Sequence, residues 1–88
     1  MTAASDTALD QMTAQVFGVV AEILPALARE QITGDKHPKE LGADSVDRVE
    51  IILTLLDRLG LSAPMSRFSD IPDLDALAAT LLALSGEA

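Results

Sequence analysis

The stretch LGADSVDRVEIILTLLDRLG, residues 41–60, determines the fold expected for this chain. Apolar side chains recur in it at three- and four-residue steps, the spacing that places them on one face of a helix. Asp44 and Ser45 are residue types preferred at helix starts, and Gly60 is well placed as a C-terminal cap. The stretch therefore predicts a helix from about Ser45 to Leu59, with an inner stripe formed by Val46, Val49, Ile52 or Leu53, and Leu56.

Two more segments show the helical period. The first runs from about Asp6 to Leu24, where Pro25 disfavours further helix, and its stripe contains Leu9, Met12, Val16, Val19 and Ile23. The last begins near Asp73, a suitable N-cap, and ends before Gly86, with a stripe of Leu74, Leu77, Leu81 and Leu84. A minor helical turn is expected near 66–70. Strand patterns are almost absent, so we expect an all-α fold.

The expected architecture is a small four-helix bundle, with three main helices plus one short helix, in a single domain over residues 1–88. A long loop, residues 25–43, joins the first two helices. It contains Gly34, Pro38 and Gly42, and Leu27, Ile32 and Leu41 are the side chains expected to hold it on the core. Connections of this length without secondary structure are uncommon in compact domains and are often functional.

Composition restricts the possible functions. Six basic against fourteen acidic residues give a net charge of −8, which disfavours nucleic acid and anionic membranes as partners and favours basic docking surfaces. An acid excess that only keeps the protein soluble is the alternative. The absence of cysteine excludes disulfides and thiolate metal sites. The first residues lack a signal peptide, and no run approaches the ~20 apolar residues of a membrane span, so we expect a cytoplasmic monomer.

Ser45 is the residue with the strongest functional signal. A serine beside an aspartate at a helix start is usually only a cap. Here Asp44 can be the cap, and Asp47 adds favourable charge in the first turn. The Ser45 hydroxyl then remains free, beside backbone N–H groups that stabilise an anion. The position suits a phosphorylated or a phosphopantetheinylated serine, and these physical arguments do not choose between them.

The run Gly42-Ala43-Asp44-Ser45-Val46-Asp47-Arg48-Val49-Glu50 resembles the Asp-Ser-Leu signature of acyl carrier proteins. The expected helical architecture, long first loop and acidic second helix are also similar to that family, over the chain from Leu9 to Leu84. The resemblance implies that Ser45 carries 4′-phosphopantetheine as cofactor, whose thiol holds the acyl chain. It also implies that Asp44 is used by the phosphopantetheinyl transferase, and that partner enzymes dock on Val46, Asp47, Glu50 and Asp57.

Three features of the sequence differ from housekeeping fatty-acid carriers and indicate which kind of acyl carrier it resembles. Val46 replaces the usual leucine, Arg48 adds a positive charge to the docking residues, and residues 61–68 lack the usual acids. The Ala-Asp-Ser-Val-Asp-Arg core resembles discrete carriers of polyketide and antibiotic biosynthesis. It is especially similar to donor carriers that present acetyl to a hydroxymethylglutaryl-synthase-like enzyme in β-branching. A ketosynthase or acyltransferase is the other expected partner, and a housekeeping fatty-acid carrier is the alternative.

Other functions have weaker support. His37 is the only histidine and has no cysteine or second histidine with which to bind metal, so a solvated loop histidine is expected. No nucleophile and base pair can be assembled, so the chain is not expected to be an enzyme. A helical interaction module, in which Ser45 only starts a helix, is the main rival to a carrier.

Overall fold

The computed structural model describes residues 3–87, and these form an all-helical fold. The main helices are α1 (Ala3–Ile23), α2 (Ser45–Leu59) and α3 (Leu74–Glu87). Three short 3₁₀ turns, Arg29–Gln31, Pro38–Leu41 and Met65–Phe68, lie in the connections. No strand occurs within this described range, so the predicted all-α class is confirmed. No helix there is both long and apolar enough to cross a membrane.

Both ends of α2 lie where the sequence predicts, because local chemistry determines them. Asp44 is the N-cap: its Oδ1 accepts a hydrogen bond from the Asp47 N–H at 2.8 Å, and the Asp44 N–H donates to Asp47 Oδ2 at 3.3 Å. At the other end Gly60 takes the left-handed conformation, φ +67°. The Leu61 N–H then reaches the Leu56 carbonyl at 2.9 Å, which completes a Schellman cap.

The other helices differ from expectation at their ends. Helix α1 begins at Ala3, three residues early, and ends at Ile23, two residues before Pro25. The prediction that α3 ends before Gly86 is wrong, because the helix continues to Glu87. Gly86 does not have the positive φ of a cap, and one glycine inside a helix costs only about 1 kcal/mol relative to alanine. The predicted N-cap of α3 is confirmed: Asp73 Oδ1 accepts from the Ala76 N–H at 2.8 Å.

The predicted inner stripe of α2 is largely wrong. Val46, Val49 and Leu53 are 69%, 42% and 51% exposed. The helix instead buries Ile51 and Leu55, together with Leu56, whose prediction is confirmed, and Ile52 is half-buried. Apolar residues cover more than one side of α2, so two stripes have helical spacing. Packing against α1 selects the second stripe.

The core otherwise follows the predicted stripes. In α3 all four predicted leucines are buried, and in α1 only Leu9 departs strongly, at 38% exposed. Val20 is fully buried beside the predicted Val16 and Val19. Helix α1 packs against both α2 and α3, whereas α2 and α3 make few contacts with each other. The core is therefore centred on α1.

The first loop is more ordered than a structureless connection. It contains two of the 3₁₀ turns, and the predicted contacts of Ile32 and Leu41 with the core are confirmed, since both are buried. The carbonyl of Gly34 accepts from the Asp75 N–H at 2.9 Å, and that of Lys36 accepts from the Leu74 N–H at 3.1 Å. A Cβ on Gly34 would clash with the Asp75 carboxylate, so a larger residue here would have to displace that side chain. The loop thus supplies acceptors to the start of α3.

An ion pair joins α1 to the C-terminal end of α2. Arg58 donates two hydrogen bonds of 2.6 Å to the Glu22 carboxylate. These hydrogen bonds lower the pKa of the Glu22 carboxyl below its usual range and raise the pKa of the Arg58 guanidinium. Both side chains remain about half exposed, so water screens the pair. It lies about 20 Å along the helix from Ser45, at 1.5 Å per residue.

Candidate functional site

A tight turn before α2 presents Ser45. Gly42 has a left-handed backbone, φ +88°, which reverses the chain after the 3₁₀ turn. Ala43 is buried, and its N–H donates to the Pro38 carbonyl at 3.1 Å. The chain then leaves the core, and Ser45 is the exposed first residue of α2. Among the described groups, its hydroxyl has no hydrogen-bond partner.

A cavity of about 300 Å³ opens beside Ser45, between α2 and the connection that follows it. Its walls are mainly apolar side chains from α2 and from the connection to α3, and Leu77 of α3 and Pro38 of the first loop complete them. Polar groups at the cavity are Ser45, His37, Arg48 and Ser69. The apolar lining residues include Val49, Ile51, Ile52, Met65, Phe68, Ile71 and Leu77. The sequence did not predict this cavity, because its walls come from segments that are far apart in the chain.

A second surface covers the outer side of α2. Val46, Val49 and Leu53 form an exposed apolar strip, with Glu50 beside it. Asp57 is exposed two turns further along the helix. At about 100° per residue, Glu50, Asp57 and Val46 fall within about 40° of one another. We call these five residues the outer ridge.

The structure separates Arg48 from the outer ridge. Two residues along a helix correspond to about 200°, so Arg48 lies on the side opposite Glu50. It is half-buried and lines the cavity. Asp47 is also half-buried and faces neither the cavity nor the centre of the outer ridge. Six site residues are predicted after Asp44, and two of them, Asp47 and Arg48, lie away from the exposed outer surface of α2. The other four lie together on that surface: Ser45, Val46, Glu50 and Asp57.

His37 lies in the first loop, as the sequence predicts, and has a structural role there. It is half-buried, and its Nδ1 accepts a hydrogen bond from the Lys39 N–H at 3.0 Å. Its own N–H donates to Glu40 Oε1 at 2.9 Å, which completes a capping box on the 3₁₀ turn before Gly42. His37 therefore supports the turn that precedes Ser45. The short His-Pro-Lys-Glu spacing is the sequence signal that could have revealed this cap.

Comparisons with known proteins give a consistent family. The phosphopantetheine attachment site family matches residues 14–81. The chain is 39% identical over 62 residues to the polyketide biosynthesis acyl-carrier-protein AcpK of Bacillus subtilis, covering 70% of this chain and 76% of that protein. It is 33% identical over 57 residues to an acyl carrier protein of Chloroherpeton thalassium, covering 64% and 70% respectively. The search of solved structures returned no significant match.

The residues near the start of α2 fit the prosthetic group of that family. The group is joined to a serine oxygen through a phosphodiester. The Ser45 hydroxyl is exposed and makes no hydrogen bond within the described residues. The cavity beside it supplies an apolar wall and the Arg48 side chain. When bound, 4′-phosphopantetheine provides the thiol that holds an acyl group as a thioester. The chain belongs to the acyl carrier protein family, whose members carry acyl groups on 4′-phosphopantetheine and are not themselves enzymes.

Proposed function

We propose that Ser45 is the attachment site for 4′-phosphopantetheine, and that the chain delivers acyl groups to enzymes of polyketide biosynthesis. The observation that supports Ser45 most is its place in the fold. Among the serines with described side chains, only Ser45 opens an α-helix. Ser69 and Ser85 each donate their hydroxyl to a backbone carbonyl, at 3.0 and 2.7 Å.

The start of α2 suits an anionic ester. The N–H groups of Ser45 and Val46 are not used by the capping box, which engages those of Asp44 and Asp47. Free N–H groups and the positive end of the helix dipole stabilise a phosphate there. In this proposal Asp44 holds the helix start in shape and is the side chain that the phosphopantetheinyl transferase recognises.

The outer ridge is the proposed docking surface for partner enzymes. Its apolar strip is flanked by the carboxylates of Glu50 and Asp57, on a chain of net charge −8. The complementary partner has a small apolar patch bordered by basic residues. Such pairs associate through electrostatic steering and separate quickly, as a carrier that visits several enzymes requires.

Reversing the charge of Glu50 tests this docking surface. We expect Glu50→Lys to raise the apparent KM of a partner enzyme several-fold with little change in kcat, because the change removes one attraction and adds one repulsion. The effect should shrink with salt, since the Debye length falls from ~10 Å at 0.1 M to ~3 Å at 1 M.

Glu30→Lys is the matched control, because Glu30 is exposed in a 3₁₀ turn outside α2 and makes the same change in net charge. Equal KM values for the two variants would show that only total charge matters and would remove the outer ridge as the docking surface.

The proposed role within polyketide biosynthesis is acetyl donation for β-branching. The identity to a carrier named for polyketide biosynthesis supports the pathway, and the Ala-Asp-Ser-Val-Asp-Arg core supports the donor role by resemblance. The partner would be a hydroxymethylglutaryl-synthase-like enzyme that accepts the acetyl group. A ketosynthase or acyltransferase would act on the same thioester in a general polyketide carrier.

Acetyl transfer measures the donor role directly. We expect the acetyl-loaded carrier to supply a hydroxymethylglutaryl-synthase-like enzyme faster than an acetyl-loaded housekeeping fatty-acid carrier does. Transfer is followed by intact mass, as loss of the acetyl group from the carrier. Equal rates for the two carriers would exclude the donor role and leave a generic polyketide or fatty-acid carrier.

A further inference from the structure

Arg48 is a half-buried cation without a partner of opposite charge. Within the described part of the chain it makes no hydrogen bond or ion pair through its side chain, with Asp44, Asp47 or any other group. It nevertheless lines an otherwise apolar cavity. A guanidinium that is partly removed from water loses hydration free energy, and hydrogen bonds to an anion beside it compensate for that loss. The position therefore favours an anionic ligand.

Ser45 is close enough to supply that anion. Residues three apart on a helix are surface neighbours, with Cβ atoms about 5–6 Å apart. Both Ser45 and Arg48 line the same cavity. An arginine side chain at that separation reaches a phosphoryl oxygen two bonds beyond the serine Oγ. Its planar fork can then donate two parallel hydrogen bonds to a phosphate.

The acidic residues of the first turn do not neutralise Arg48. At about 100° per residue, Asp47 lies about 160° around the helix from Ser45, whereas Arg48 lies about 60° from it. Asp47 and Asp44 are bound to each other in the capping box, so their carboxylates stay at the helix start. A phosphodiester on Ser45 is repelled by both of them and attracted by Arg48. The charges thus favour the cavity side of α2.

We propose that Arg48 binds the phosphodiester of the arm on Ser45 and so directs the arm along the cavity side of α2, away from the carboxylates of Glu50 and Asp57. This inference rests on the proposed attachment at Ser45. Arg48 is then a positioning residue for the prosthetic group. The alternative is that Arg48 contacts only an acidic group on a partner enzyme, in which case it does not respond to the arm.

Nuclear magnetic resonance of the unloaded and loaded protein separates these possibilities. On loading, we expect the Arg48 Nε–H resonance to shift and its exchange with water to slow several-fold, because the phosphate holds it. The ³¹P resonance of the loaded protein should shift in Arg48→Gln, and less in Arg48→Lys, which keeps the charge without the fork. Arg29→Gln is the control, since Arg29 is exposed in a 3₁₀ turn of the first loop.

The outcomes separate two proposals, the contact between Arg48 and the phosphate and the attachment of the arm to Ser45. Loaded protein with an unchanged Arg48 resonance, and a ³¹P resonance identical in Arg48→Gln, would overturn the phosphate contact and leave the attachment at Ser45 intact. A wild-type chain that gains no phosphopantetheine by mass would overturn the attachment, and the contact with it. If the Gln variant fails to fold, the comparison of unloaded and loaded wild type still gives the answer.

Discussion

Replacing Ser45 with alanine is expected to abolish phosphopantetheine loading completely while leaving the protein helical. The substitution removes the only atom to which the group would be bonded. The hydroxyl makes no hydrogen bond within the described residues, and Asp44 rather than Ser45 caps α2. The free energy of unfolding should therefore change by less than about 1 kcal/mol. Intact mass after co-expression with a promiscuous phosphopantetheinyl transferase measures loading, and far-UV circular dichroism measures helicity.

Ser62→Ala is the control, because Ser62 is an exposed serine outside α2. It should load like the wild type. Loading of the Ser45→Ala variant at the wild-type level would disprove the assignment of the site.

Replacing Leu55 with alanine is expected to have the largest effect on stability. Leu55 is fully buried on the inner side of α2. Truncating a buried leucine costs about 2–5 kcal/mol, through lost burial and the cavity left behind. A chain of this length is stable by roughly 4–13 kcal/mol, at 0.05–0.15 kcal/mol per residue. Leu55→Ala should therefore lower the urea midpoint strongly, and part of the protein can be unfolded without denaturant.

Leu53→Ala makes the same chemical change two residues away, where the side chain is 51% exposed. Its effect on the free energy of unfolding should be about 1 kcal/mol or less, because much of its surface already contacts water. Similar losses of stability in the two variants would contradict the orientation of α2. The predicted stripe through Leu53 would then be the inner one after all.

The sequence predicted best those features that depend on neighbouring residues. The bounds of α2 follow from Asp44 at one end and Gly60 at the other, and both caps act within a few residues. The stripe of α3 was also correct, because its leucines form one continuous face. Such local signals survive in any tertiary arrangement.

The inner side of α2 could not be predicted in the same way. Its apolar residues satisfy helical spacing both through Val49 and Leu53 and through Ile51 and Leu55. Only contact with α1 decides between them. The rotation of α2 about its axis also determines on which side Arg48 lies. Because the sequence does not reveal that rotation, the prediction grouped Arg48 with the docking acids. Rotating the expected helix to the observed orientation places Arg48 in the cavity wall.

The cavity and the cap formed by His37 depend on distant parts of the chain or on loop geometry. The cavity needs the positions of α2, α3 and the Met65–Phe68 turn together. The contact of Gly34 with Asp75 joins residues 41 positions apart. No periodic pattern in the sequence encodes such contacts.

Attachment of the arm to Ser45 is the central claim, and one mass measurement tests it most directly. The wild-type chain is co-expressed with a promiscuous phosphopantetheinyl transferase, digested and analysed by tandem mass spectrometry. We expect one phosphopantetheinyl group per chain, located on Ser45. An unmodified chain, or a group located on any other residue, would contradict the claim.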